Sequence, residues 1–282
     1  MKDQMITITR EDFGQALPIG ASVHDEVYES VAPAIAVALD SYSRSLLGEA
    51  GQQLLASPDC PAGLERSFKS LVALDAFLGV LRQLDLVLTP TGFGIVSTDT
   101  LSPASQQRVD ALERQLRTAL CRATAQAVDQ LRSPSWGRSA EACCYIRYVY
   151  TEHYYFFSPH SSPSLTYLDW QAMQPAIQDA DEQVRLRFGD AQTDDMLDAL
   201  RCADRNRLKA YAGAMQLMCD LADQWRVRGL EAASSATLRR LSALMEADGV
   251  TFALYHGSAA YAAAHTPPFT NRKHSAAFFF NG

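Results

Sequence analysis

Lysine is nearly missing from this sequence. Only Lys2, Lys69, Lys209 and Lys273 supply it, and the other 21 of the 25 basic residues are arginines. Arginine's rigid, always-charged fork suits fixed ion pairs and interfaces better than a solvating ammonium does. A high-GC genome produces the same bias, so both explanations stand. Positive charge is in short supply as well: the formal charge is −7, which argues against a dedicated nucleic-acid binder with its need for a field that attracts phosphates. Long apolar runs are missing, and none approaches the roughly 20 residues that cross a bilayer. The opening MKDQMITITRED is polar and alternating, without the basic and apolar regions of a secretory leader. Six cysteines (Cys60, Cys121, Cys143, Cys144, Cys202 and Cys219) lack metal-ligand spacing, and the adjacent pair is not a CxxC. They read as reduced, mostly buried small hydrophobes of a cytoplasmic protein. P-loop, GxSxG and nucleophile-elbow patterns are also missing.

What is present is the composition of a folded globular chain. Hydrophobic residues make up 48% and charged residues 20% of 282 positions, which excludes a disordered protein and leaves room for one large domain or two ordinary ones. The stretch Asp85–Ser105, DLVLTPTGFGIVSTDTLSPAS, organises the rest. It reads as two short strands, Asp85–Thr89 and Phe93–Ser97, joined at Pro90-Thr91-Gly92. Pro90 presets a turn dihedral and Gly92 tolerates positive φ. Gly94 follows in the second strand. A polar loop then leads into a helix with Ser102 as N-cap and Pro103 at its first position.

Helical patterns flank this unit. Ser22 can cap a helix to about Leu47, with a kink or break near Ala32 because Pro33 falls inside it. Leu64–Leu84 is the strongest helix, and apolar residues on more than one stripe make it central to a bundle. Pro103 to about Leu131 is amphipathic. Ser133-Pro134-Ser135-Trp136-Gly137 is the best internal boundary, giving a helical domain with a hairpin at 1–132 and a second helical domain with an aromatic segment and a strand-like tail at 133–282. Cys143–Phe157 fits strand or helix equally. Thr166 or Asp169 begins a helix that stops at Gly189. Thr193 caps another from Asp194 to about Arg228, and Ser234–Ala247 is shorter. Met5–Thr9 reads as a short strand or an arm that pairs elsewhere, strands are expected at Val250–Tyr255 and Ala276–Phe280, and Phe13–Pro18 is a turn. The fold class is therefore mainly α: a helical bundle with a central β-hairpin and a few short C-terminal strands.

Candidate chemistry is sparse. Gly92-Phe93-Gly94 lacks the third glycine and the strand–loop–helix setting of a dinucleotide fingerprint, and the hairpin turn explains its glycines. His153 and His160, with Glu152 and Cys143-Cys144, are the only concentration of metal-ligand types. Their spacing is irregular, and Tyr and Phe fill the gaps, so neither metal nor organic cofactor is expected. Arg201, Arg205, Arg207 and Lys209 interleave with Asp194, Asp195, Asp198 and Asp204, as a solvated helix face does. The aromatic block Tyr145, Tyr148, Tyr150, Tyr154 and Tyr155 offers apolar area with polar tips. It suits a subunit interface or a core strand with a wet edge equally. The terminal Phe278-Phe279-Phe280 is a second interface candidate, open to β-augmentation or to pairing within its own chain.

Leu86-Val87-Leu88-Thr89, Gly92-Phe93-Gly94-Ile95-Val96 and Pro103-Ala104-Ser105 with Arg108-Val109 carry a resemblance. Over roughly Ser67–Arg117 the chain resembles an uncharacterised family found in bacteriophages and prophage-like islands of Bacteroides-type bacteria, whose members sit among virion structural genes. Weaker echoes are Ala180-Asp181-Glu182 through Gly189, and Asn271 ahead of the final phenylalanines. The resemblance implies a non-enzymatic structural or assembly role in a phage-like particle, as a head–tail connector, adaptor or completion protein. Partners would be its own copies or other particle proteins, with no membrane, specific nucleic acid or small-molecule substrate. The alternatives are a cytoplasmic binding adaptor unrelated to virions, and an enzyme whose composite site is invisible in sequence.

Overall fold

The computed structural model describes residues 6–17, 25–84, 86–89, 92–95, 105–159, 161–228 and 234–266. The chain opens with a short helix, α1 (Arg10–Ala16), started by a capping box: Thr9 accepts from the Asp12 backbone, and Asp12 accepts in return from the Thr9 backbone. The sequence reading of Met5–Thr9 is a short strand or an arm that pairs elsewhere, and of Phe13–Pro18 a turn. Ile6–Thr9 is instead an irregular lead into this helix, its Ile8 carbonyl accepting from the Tyr28 hydroxyl, and the helix buries Phe13 against Tyr28 and Phe77; Met5 and Pro18 lie outside the described residues.

Helix α2 (Asp25–Tyr42) carries Pro33 without ending there. The break lies further on, at a π-helical turn, Ser43–Leu47, that hands the chain to α3 (Gly48–Leu55). Helix α4 (Leu64–Val80) is apolar on several sides and packs against α1, α2 and the later α5. Phe68, Leu71, Val72 and Ala73 on it are fully buried. Leu86–Thr89 (β1) and Gly92–Ile95 (β2) pair antiparallel, Leu86 opposite Ile95 and Thr89 opposite Gly92. Helix α5 (Gln106–Leu131) starts with Ser105 at its N-cap position, not Ser102, and its first residue is Gln106 rather than Pro103. Pro90, Ser102 and Pro103 lie outside the described residues.

The second half continues in helices. Cys143–Phe157 resolves into α6 (Ala140–Tyr145) and α7 (Glu152–Phe157), capped by Ser139 and Thr151. A capping box from Thr166 to Asp169 opens α8 (Tyr167–Phe188). Gly189, at φ 86°, turns the chain straight into α9 (Asp190–Arg201), a conformation that side-chain-bearing residues avoid. Thr193 is not a cap; it lies inside α9, buried. The single helix expected from Asp194 to Arg228 is two, because Ala203 adopts φ 50° and Asp204 accepts from the Asn206 and Arg207 backbones to start α10 (Arg205–Arg228). Then come α11 (Ser234–Ala247), α12 (Ala253–His256) and α13 (Ala259–Ala264).

The fold class therefore needs correction: this is a helical protein. Apart from the short β1–β2 pair, the described residues are helices and their connections, so the protein is not an α+β unit organised on that hairpin. Val250–Tyr255, expected as a strand, is a turn leading into α12, where Asp248 accepts from the Val250 and Thr251 backbones. The β-prone residues there bury Phe252 and Tyr255 against Tyr211 and Phe188. Tertiary packing has overridden local strand preference. Ala276–Phe280 lies outside the described residues. The buried cluster is built by helices and their connections, from Phe13 on α1 to Tyr255 on α12, and α10 packs on α8, α9 and α11. Among the described residues, no helix is long and apolar enough to cross a membrane.

Candidate functional site

A group of perturbed polar side chains gathers around the π-helical turn. Such turns shift the helical register by one residue and often mark functional positions. Tyr42, at the end of α2, meets Asp75 of α4, and Tyr145 of α6 meets Ser45 on the turn itself. Burial is the largest influence on each of them. It pushes both phenols up, and it raises the Asp75 carboxyl against the opposing hydrogen bond from Tyr42.

The neighbouring pair is Cys121 of α5 and Glu152, the first residue of α7. Burial pushes the thiol up to about 12, helped by the adjacent carboxylate. Burial also lifts Glu152 to about 7, and its hydrogen bond with the thiol only partly offsets that. The next residue, His153, stacks on Phe157 with centroids 5.0 Å apart. Its Nε2 lies 3.7 Å from Asp129 Oδ2, while Arg132 Nη1 holds Asp129 Oδ1 at 3.1 Å. Burial drives the imidazole below its ordinary range, with Asp129 opposing. Tyr145, Thr151, Glu152, His153, Asp129 and Arg132 line a small cleft, partly open to solvent.

Chemically, the cleft offers a carboxyl suited to proton transfer at neutral pH. A carboxyl that titrates near 7 holds or yields a proton at neutral pH. Cys121 is the opposite case, because a thiol raised that far supplies almost no thiolate nucleophile. Strongly shifted groups gather at functional sites, but structural networks shift them too.

The aromatic block works mainly inside the chain. Tyr150 and Tyr155 are buried, and Tyr145, Tyr148 and Tyr154 are half-buried. The Tyr150 hydroxyl donates to Asp223 Oδ1 at 2.7 Å, and the Tyr154 hydroxyl accepts from Gln216 Nε2 at 2.9 Å. Tyr155 packs on Trp170 with centroids 5.2 Å apart and accepts from Arg226. The block thus ties α7 to α8 and α10. Gly92 and Gly94 sit in β2 opposite Thr89 and Val87, and Phe278, Phe279 and Phe280 lie outside the described residues.

The metal-ligand types are dispersed. Cys143 and Cys144 are exposed, Glu152 goes to Cys121 and His153 to Asp129, while His160 lies outside the described residues. Among the described residues no group of three His, Cys, Asp or Glu side chains could hold a metal ion. The Arg201–Lys209 stretch is not simply a solvated face. Arg201 donates twice to the Ile146 carbonyl, and Arg207 bridges Asp195, Asp198 and Asp204.

Sequence reading missed Tyr42, Asp75 and Cys121. Asp75 carried a usable signal, a single acid inside the apolar run LVALDAFLGV. Such a residue, once buried, needs a partner. Nothing near Cys121 marks it.

Tyr42, Asp75, Cys121, Asp129, Arg132 and Tyr145 all fall in residues 23–146. That span matches a family model. The family is described only as one of unknown function, DUF6712, and the match stops short of Glu152 and α7. No curated protein and no solved structure matches the chain.

Proposed function

We propose that this chain is a non-enzymatic structural or assembly protein of a phage-like particle, a head–tail connector, adaptor or completion protein made in the cytoplasm. One observation carries the reading: the resemblance over Ser67–Arg117 to a family encoded among virion genes, a stretch inside the span that matches DUF6712. The way the chain spends its charged groups supports it. Arg207 gathers three carboxylates from α9 and the α9–α10 junction, and Arg185 gathers another three from α8 and α9. Groups committed to fixing one helix against the next suit a body that keeps its shape while neighbours dock on it. The partners are further copies of the chain or other particle proteins, and the half-exposed Tyr148 and Tyr154 and the terminal Phe278–Phe280 are the proposed contacts.

The test is incorporation. Particles assembled with a chain lacking Ser275–Gly282 are compared with wild type after gradient purification, alongside the melting temperature of the isolated chain. Unchanged stability with lost incorporation supports a docking tail. A full-length chain that never sediments with particles ends the proposal.

A second reading, an enzyme with a composite site, is favoured by Glu152 in its cleft. Glu152→Gln separates the two: an assembly protein keeps its incorporation, whereas an enzyme using this carboxyl loses turnover.

A further inference from the structure

The long helices stand in a row: α2 packs on α4, α4 on α5, α5 on α8, α8 on α10 and α10 on α11. The buried cluster runs through this row, and α2 and α11 are its two ends. Each end helix turns one side inward. Val31, Ile35 and Ala38 of α2 are buried, and so are Thr237, Leu241 and Met245 of α11. The other side of each faces outward. α1 and the π-helical turn also touch α2, yet Glu29, Pro33, Ala36 and Val37 stay exposed, Val37 at 71%. On α11 the exposed residues include Ala236, Arg239, Arg240, Ala243 and Ala247.

A lone exposed valine is ordinary. What sets these two faces apart is that they match. Both carry small side chains, which let helix axes approach closely. Their free charges are opposite. Arg239 and Arg240 have no carboxylate partner among the described residues, and Glu29 has no basic one, whereas Asp40 of α2 is held by Arg44. Glu246, further along α11, lies 4.0 Å from His265. With the helices parallel, Arg240 meets Glu29 while Ala243 and Ala247 lie along Pro33 and Val37. Such a contact joins one surface to a different one, so it repeats from copy to copy and carries the row of helices on into the next chain.

We propose that copies of this chain associate head to tail, the outer face of α11 in one copy docking on the outer face of α2 in the next, with Arg240 paired to Glu29 of that next copy. The choice of a second copy as the occupant rests on the assembly reading, whereas the test uses the purified chain without particles, so the two can fail separately.

Sedimentation velocity of the full-length chain is followed over a range of concentrations at low and high salt. The expected result is reversible self-association that weakens as salt rises. Arg240→Glu and Glu29→Arg each weaken it about tenfold or more, because like charges then face each other. An equimolar mixture of the two variants restores it, since each offers the charge that the other lacks. A wild-type chain that stays monomeric at every concentration, undiminished association in a folded charge variant, or a mixture that associates no better than its components overturns the proposal. Association that appears only after residues 267–282 are removed overturns it too, because the chain's own tail is then what covers the face. If a charge variant fails to fold, Val37→Gln decides, and undiminished association there overturns the proposal.

Discussion

The Trp136 indole N–H donates to the Leu46 carbonyl at 2.9 Å, joining two residues ninety positions apart. Trp136 and Leu46 are both fully buried, and Leu46 lies in the π-helical turn. The ring therefore supplies a bond to a carbonyl at the point where α2 gives way to α3. It also places the segment around residue 136 against the first helices of the chain.

Trp136→Phe removes that donor and leaves a space beside a buried carbonyl. The combined loss is expected at about 2–4 kcal/mol, read from urea unfolding. A loss near zero would mean that Leu46 finds another donor without cost.

Gly137 and Gly79 make a contrasting pair. A Cβ on Gly137 would stand 2.5 Å from the Arg201 carbonyl carbon and oxygen, whereas one on Gly79, in helix α4, meets nothing within 4 Å. Gly137→Ala must push two backbone segments apart and is expected to cost about 3 kcal/mol or more. Gly79→Ala lowers the entropy of the unfolded chain and favours the helix, so it should gain about 0.5–1 kcal/mol. Thermal melts of the two variants should move in opposite directions.

Much of the helical layout was legible because it is written locally. Thr166 with Asp169, Gly189 after Phe188, and the apolar faces of Leu64–Val80 and Ser234–Ala247 each state their element within a few residues. The errors came where distant packing outweighs local preference. Val250–Tyr255 is rich in strand formers, yet Phe252 and Tyr255 are fixed by Tyr211 and Phe188 from other helices. The Asp204 cap and the left-handed Ala203 split a pattern that looks continuous on an apolar wheel. The cleft was half visible. Glu152 and His153 stood out by type, but their partners Cys121 and Asp129 lie on α5, more than twenty residues away, and spacing alone does not join them.

Glu152 gives a pH dependence whose sign is fixed. Its carboxyl titrates at about 7 against an ordinary 4.5, so the folded state holds its proton more tightly than the unfolded one. That contribution is complete below pH 4.5 and is lost as pH rises through 7. Wild-type protein should lose about 1–3 kcal/mol across that window relative to Glu152→Gln. His153 runs the other way: its pKa is depressed from 6.5, so its contribution is present above 6.5 and lost as pH falls. Glu152→Gln should therefore remove the fall in stability between pH 4.5 and 7 and leave in place the loss that His153 causes as pH drops below 6.5. Parallel profiles of the two proteins would place Glu152 in ordinary solvent.

Arg207 is expected to be the strongest single ionic contributor at the α9–α10 junction. It reaches Asp198 at 2.6 Å and Asp195 and Asp204 at 3.0 Å each, and Tyr211 donates to Asp195 beside it at 2.6 Å. Arg207→Ala leaves three carboxylates facing one another and should cost about 1–3 kcal/mol at low salt, less as salt rises. Arg207→Lys should recover only part of this, because one ammonium does not reproduce the fork. A loss independent of salt would point to lost packing of the side-chain stem.

Particle composition tests the assembly role most directly. Phage-like particles purified from the producing cells are digested, and this chain is quantified by mass spectrometry against the major capsid subunit. The account predicts a fixed copy number per particle, unchanged through successive gradient steps and unchanged in Glu152→Gln. A chain that is absent from the particles, or whose amount falls with each purification step, contradicts it.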